Sequence, residues 1–466
     1  MRTAIATPTH RFHPTILREY DIRGIVGETL HDIDAETIGH AFGTLVRRKG
    51  GRTVCIGRDG RTSSPTLAQA LTRGLVAAGC VVRDIGQGPT PMLYFAATIT
   101  GADGGIMVTG SHNPPSHNGF KMVLGDNPFF GADIRDLGRL AAEGDLISES
   151  GGRAEPLDIA ADYVTRLLRD FDGGRPLTVV WDCGNGATGD VLRQVVARLP
   201  GSHTVLFADI DGSFPNHHPD PTEPHNLVDL QREVARRCAD LGIAFDGDGD
   251  RIGVVDGLGR ILWGDQILML LAEDVLRHAP GAVVMADVKA SNALFAEVAR
   301  LGGQPLMWRT GHSLIKTKMK ETGCPLAGEM SGHIFFADRY FGFDDALYAA
   351  IRLLGIVGRW PDESLSQRHD RLPKLVNTPE MRIDCADERK HDIIRAVGEK
   401  LRAAGIPVND IDGVRVDELG GWWLLRASNT QAVLVARCEA ADTRHLELLK
   451  QRLQDVLAQF RLRLPS

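Results

Sequence analysis

Residues 104–121, GGIMVTGSHNPPSHNGFK, place a serine hydroxyl at a strand end. The apolar run 106–108 predicts a short buried strand. Pro114-Pro115 stops it from continuing as helix or central strand, so Ser111 stands at the tip of a stiff turn. In an open α/β sheet the C-terminal ends of strands are where ligands bind. Ser111 is therefore a candidate nucleophile, and His112 and Lys121 are candidates to move protons or hold negative charge. The same residues also suit a polar turn whose Ser and Asn satisfy only backbone groups.

Asp246-Gly247-Asp248-Gly249-Asp250-Arg251 carries carboxylates at alternate positions. Extended chain sends them to one side, and the glycines permit a turn tight enough to bring them onto one ion. Hard oxygen ligands suit Mg²⁺ or Ca²⁺. An EF-hand is excluded: counted from Asp246, its glycine position holds Arg251 and its bidentate-Glu position holds Gly257. Strands, not helices, are also expected on both sides. Without a cation, three close carboxylates repel one another.

Further polar turns complete the set. Gly328-Glu329-Met330-Ser331-Gly332-His333 offers a carboxylate and a hydroxyl two residues apart, suited to adjacent sugar hydroxyls. Arg309-Thr310-Gly311-His312-Ser313 lies upstream. Arg426-Ala427-Ser428-Asn429-Thr430 suits a phosphate cradle, with Arg437 on the next strand as a second fork. Each of these turns is also compatible with an ordinary loop or hairpin. Near the start, Arg18-Glu19-Tyr20-Asp21-Ile22-Arg23-Gly24 is either a salt-bridged surface turn or a place where an arginine reaches an anion.

The elements that must position these turns follow one pattern. Runs 54–56, 179–181 and 283–286 each lead to an Asp-containing turn (Asp59, Asp182, Asp287-Val288-Lys289) and then an amphipathic helical run. A second β run follows each helix, at 81–85, 204–208 and 304–308. A third strand then enters TGSHNPP, DGDGDR or AGEMSGH. One α/β unit used three times would bring these three loops to a common site. Residues 143–156 read as a Gly/Ser-rich linker. The C-terminal portion reads as a small α+β domain: strand 381–383, helix 387–404, strands near 414–416, 422–426 and 432–437, and helix 443–460.

A chain of 466 residues exceeds one core. Its net charge of −7 leaves no electrostatic footprint for nucleic acid, so cations for an anionic ligand must be gathered locally. The seven cysteines form no CxxC pair, which fits a reducing cytoplasm better than disulfides or zinc. The first residues lack a signal-peptide core, and the apolar run near 261–271 is interrupted by Gly264-Asp265-Gln266, so no membrane span is expected.

Taken together, REYDIRG (18–24), TGSHNPP (109–115), DGDGDR (246–251), GEMSGH (328–333) and RASNT (426–430) resemble, in order, the α-D-phosphohexomutases, most closely the bacterial phosphomannomutase/phosphoglucomutase group. The resemblance implies three related mixed α/β domains plus a C-terminal α+β domain of TATA-binding-protein-like topology around a central cleft. The expected boundaries are 1–155 (phosphoserine loop), 156–257 (metal loop), 258–372 (sugar loop) and 373–466 (phosphate-binding domain).

It further implies that Ser111 is carried as phosphoserine and joins Asp246, Asp248 and Asp250 around Mg²⁺. Arg23, His112, Lys121 and Arg251 would surround the transferring phosphoryl group. Tyr20, Lys289, His312, Glu329, Ser331 and His333 would contact substrate, and Arg426, Ser428, Asn429, Thr430 and Arg437 the second phosphate. The implied reaction interconverts hexose 1- and 6-phosphates, of mannose or glucose, through a hexose 1,6-bisphosphate. No nucleic acid, membrane or obligate protein partner is expected. A phosphoglucosamine mutase is the alternative, although that group more often reads TASHNP in the first loop; a non-catalytic phosphosugar or cation binder is another.

Overall fold

The structure, a computed structural model, describes residues 9–429 and 431–465. Among them are four sheets, and the first three repeat one plan. A central strand (Thr53–Arg58, Leu177–Asp182 or Val283–Asp287) pairs in parallel with two neighbours. One neighbour is the strand following the helix: Val81–Gln87, Gly201–Leu206 or Gln304–Trp308. The other is Gly104–Val108, Leu241–Phe245 or Leu326–Gly328, buried throughout. Each of these last strands reverses into an antiparallel return: His117–Leu124, Ile252–Asp256 or Ile334–Phe336. The three reversals are TGSHNPP, DGDGDR and EMSGH. The sequence-read repeat thus corresponds to a parallel core with a hairpin added at the C-terminal end of its third strand, where the polar loops gather.

The Asp that ends the central strand has a shared task in two repeats. Asp59 accepts from Gly110 N–H, and Asp287 accepts from Met330 N–H, so each tethers the reversal beside it. Asp182 instead accepts from Gly184 N–H and contacts His217.

The fourth sheet is antiparallel, with Gly421–Ala427 between Val414–Glu418 and Val433–Ala440, covered by helices Asp387–Ala403 and Thr443–Ala458. The C-terminal domain has its own apolar core; another core joins the two middle domains, where Trp181, Leu268 and Tyr348 are buried, and runs into the N-terminal domain at Cys55, Leu93 and Met107, while the other face of the N-terminal domain packs separately. Residues 143–156 are not wholly linker: Arg153–Pro156 forms a parallel edge strand on Val81–Gln87. Its exposed, alternating charges suit an edge, where only one side needs a partner. No helix is long and apolar enough to cross a membrane among the described residues.

Candidate active site

The first two reversals touch. Ser111, 2 % exposed, donates from Oγ to Asp246 Oδ2 at 2.9 Å. Its backbone is left-handed, φ 49°, an uncommon conformation for serine. The Ser111 N–H is held by Thr109 Oγ1 at 2.8 Å. Close approach of the two loops requires Gly247, where a Cβ would lie 2.4 Å from the Ser111 carbonyl oxygen.

Asp246, Asp248 and Asp250 are fully buried and can each offer an oxygen within 4.8 Å of the others. Lys121, projecting from the antiparallel return, donates to Asp248 Oδ2 at 2.8 Å and to Asp250 Oδ2. Thr90 Oγ1 donates to Asp248 Oδ2 at 2.5 Å, a contact absent from the sequence reading. Asp248 Oδ1 and Asp250 Oδ1 remain buried without a hydrogen-bond partner among the described residues. Unspent, buried, hard oxygens on a shared center fit a divalent cation.

The charges of the cluster are strongly interdependent. Burial, then Asp250 and Asp248, push the Asp246 carboxyl well above its ordinary value. Burial opposes the charge on Lys121, but Asp248 and Asp250 outweigh it and hold the ammonium charged. Held charged in this way, Lys121 is not poised to act as a general base. His112 Nδ1 lies 3.3 Å from Ser111 Oγ. Burial, with Arg251, Arg23 and Lys121 nearby, drives its imidazole well below the usual histidine range, which keeps it neutral.

Arginines flank the serine. Arg23 Nη1 donates to Asn113 Oδ1 at 2.7 Å and to the Gly110 carbonyl, and Nη2 pairs with Asp21 at 2.5 Å. Arg251 Nε donates to His333 Nε2 at 3.0 Å, and a backbone bridge between Arg251 and His333 joins the Asp246–Arg251 loop to the third reversal. That junction needs Gly332, φ 88°, where a Cβ would be 2.6 Å from the Ile252 carbonyl oxygen. On its other side His333 Nδ1 lies 3.0 Å from Asp344 Oδ2. Burial opposes ionisation of Asp344, yet Lys316 and His333 hold its carboxyl well below the ordinary value.

Glu329 is buried and Oε1 accepts from Gly311 N–H at 2.6 Å, which fixes the carboxylate. Burial, partly countered by His333, raises its pKa. Ser331 is partly buried on the same turn, and His312 stacks on His333 with ring centers 5.6 Å apart. Tyr20 spans three domains: its hydroxyl donates to the Thr310 carbonyl at 2.7 Å and accepts from Asn429 Nδ2 at 2.5 Å. Lys289 pairs with Glu380 at 3.0 Å.

Arg426 is buried, with Nε donating to Asp412 Oδ2 at 3.0 Å. The Ser428 carbonyl accepts from Lys390 Nζ at 2.6 Å, which anchors this turn from the helix Asp387–Ala403. A cavity of about 430 Å³ beside Asn429 is lined also by Arg18, Arg309 and Lys390. Thr430 lies outside the described residues.

Arg437 is not brought to that turn. The register sets it opposite Leu424, with Val435 opposite Arg426. Its Nη1 donates to the Lys289 carbonyl at 2.5 Å, and Nη2 faces Asp265 at 3.9 Å. The guanidinium instead buttresses the contact between the third and fourth domains.

Four supporting residues escaped the sequence reading: Arg61, Thr90, Asp344 and Asp412. Asp344 and Asp412 sit in no motif. Arg61 lies two residues after Asp59 in the turn that ends the first central strand, and that position is its one local signal.

Comparison with known families matches the chain in four consecutive pieces. The description "Phosphoglucomutase/phosphomannomutase, alpha/beta/alpha" covers domain I at residues 14–139, domain II at 161–259 and domain III at 263–376, and the family's C-terminal domain covers 380–456. The phosphomannomutase/phosphoglucomutase of Pseudomonas aeruginosa is 46% identical over 437 residues, 94% of each chain. A phosphoglucomutase of Neisseria gonorrhoeae is 42% identical, over 95% of this chain and 96% of its own. The crystal structure of a phosphoglucomutase/phosphomannomutase family protein from Burkholderia thailandensis superposes with TM-score 0.91 at 44% identity, covering 98% of this chain and 100% of that one.

Proposed function

The chain belongs to the phosphoglucomutase/phosphomannomutase family, and from that premise we propose how its residues interconvert hexose 1- and 6-phosphates. The protein is a hexose-phosphate mutase, an isomerase. The observation that carries the mechanism is the contact of Ser111 Oγ with Asp246, with His112 beside the same hydroxyl and Lys121 on the neighbouring carboxylates Asp248 and Asp250.

Ser111 carries a phosphoryl group and gives it to the free terminal hydroxyl of a bound hexose phosphate, whose proton leaves to a base. The product is a hexose 1,6-bisphosphate. This intermediate turns around, and its other phosphoryl returns to Ser111. Phosphoryl transfer asks mainly for alignment and charge neutralisation. Arg23, Arg251 and Lys121 supply positive charge around Ser111, and neutral His112 is placed to accept a proton. Asp246, Asp248 and Asp250, with the phosphoserine oxygen, would hold Mg²⁺, which when bound neutralises charge on the transferring group.

Glu329 and Ser331 hold sugar hydroxyls, with His312, His333 and Lys289 alongside. If these are O3 and O4, the site is nearly blind to C2, so mannose and glucose phosphates both serve. Arg426, Ser428, Asn429 and Tyr20 hold the phosphate that is not transferred, with Thr430 assigned by family pattern; Arg437 acts through Lys289. We place the protein in the cytoplasm, consistent with seven free cysteines.

Purified protein with Mg²⁺ and a trace of hexose 1,6-bisphosphate should convert mannose 1-phosphate and glucose 1-phosphate to 6-phosphates. Bound sugar phosphate without turnover, or no phosphate mass on the Ser111 peptide, would defeat the reading. A higher kcat/KM for glucosamine 1-phosphate would move the assignment to that sugar.

A further inference from the structure

Beneath the serine loop lies Arg61, 1 % exposed. Nη1 donates to the carbonyls of Pro114 at 2.6 Å and His117 at 2.9 Å. Nη2 donates to the carbonyls of Ser111 at 2.8 Å and Asn113 at 2.5 Å. Nε lies 3.2 Å from Asp59 Oδ2, and that carboxylate also accepts from Gly110 N–H at 3.0 Å. One rigid, planar fork therefore touches both ends and the middle of the reversal that presents Ser111. Gly110 leaves space for it: a Cβ there would be 2.4 Å from Arg61 Cζ. The second domain closes over the other side, with the Phe214 ring centroid 5.2 Å from Cζ and Gly212 too close to Arg61 Cα for any side chain.

A surface turn does not need this. Four carbonyls gathered on one buried cation define the position of the chain between them, and the chain between them carries a left-handed serine. We propose that Arg61 is a positioning residue for phosphoryl transfer: it sets where the Ser111 oxygen stands relative to the Asp246 loop, without touching substrate. The inference rests on the mutase reading. Lysine keeps the charge but not the fork, so it cannot serve all four carbonyls.

The test compares wild type, Arg61→Lys, Gly110→Ala and the double variant for kcat, KM, Tm and phosphate uptake on Ser111 from glucose 1,6-bisphosphate. Gly110→Ala removes no donor or acceptor; its methyl presses on the guanidinium, 2.4 Å from Cζ, and on the His117 carbonyl oxygen that the guanidinium holds, 2.8 Å away. Misplacement of the serine on the ångström scale should lower kcat about 100-fold in each single variant. KM for hexose 1-phosphate should stay within about threefold, because sugar and distal-phosphate contacts are untouched. The double variant should lose less than the product of the two single losses, because both changes act on the same fork; the pressure of the methyl on the His117 carbonyl oxygen, 2.8 Å away, remains.

Inactive wild type would defeat the mutase reading itself. Active wild type with folded variants of unchanged kcat would overturn the role of Arg61 alone. Losses that follow Tm and fall equally on kcat and sugar affinity would reduce Arg61 to a structural residue. If Arg61→Lys fails to fold, Gly110→Ala decides by the same kcat-against-KM criterion.

Discussion

Ser111 Oγ donates to Asp246 Oδ2 across 2.9 Å although 135 residues separate them in the chain. Two reversals from two copies of the same α/β plan thus meet at a single site. Ser111→Ala should lower kcat by orders of magnitude with Tm nearly unchanged, because one small hydroxyl is lost. Steady-state turnover beside thermal unfolding checks this, and unchanged turnover removes the serine from its role.

The approach of these loops depends on a missing side chain. In Gly247→Ala the new methyl would meet the Ser111 carbonyl at 2.4 Å and push the serine off the metal loop. A displacement of this kind is expected to cost about 100-fold in kcat. The measurement is kcat with KM for glucose 1-phosphate, and only kcat should fall.

Metal removal should act on the same step. Chelation should abolish turnover, and Mg²⁺ should restore it. Asp248→Asn should raise the Mg²⁺ concentration needed for half-maximal rate, because Asp248 Oδ1 is one of the unspent buried oxygens. A Mg²⁺ titration of rate for both proteins reads this directly.

The distal phosphate predicts a different kinetic signature. Arg426→Lys keeps the charge but loses the planar fork held by Asp412. KM for hexose 1-phosphate should rise about tenfold or more, the equivalent of one charge-assisted hydrogen bond. With one cradle holding the intermediate in both orientations, as proposed, forward and reverse substrates should be weakened alike.

Asp256 offers a pH test away from the reacting atoms. Burial works against its charge, but His369 and Arg260, with the Arg260 and Leu258 N–H groups, bring its carboxyl down to about 2. A carboxyl lower in the fold than in the unfolded chain adds stability at neutral pH, which drains as the pH falls below about 4 toward about 2. Asp256→Asn should lower Tm near pH 7, by about 1–3 kcal/mol of stability. The gap between the two proteins should narrow below pH 4, as followed by thermal melts across pH.

The chemistry of the center was legible locally. Carboxylates alternating with glycines, a serine before Pro-Pro and an arginine-led polar turn restrict what each loop can do, because ligand type and turn geometry are short-range properties. The strand–Asp–helix rhythm likewise exposed three copies of one unit, and the structure shows each polar loop at the same reversal.

Contacts between distant elements were decided only by tertiary packing. Arg437 looked like a second phosphate fork, yet strand register and domain docking direct it to the Lys289 carbonyl. Tyr20 meets Thr310 and Asn429, and Asp344 meets His333, through approaches that no local pattern encodes. Arg61 is the clearest case, since its value lies in four carbonyls some 50 residues away. A side chain's type sets what it can bind; which partners reach it depends on how the domains close.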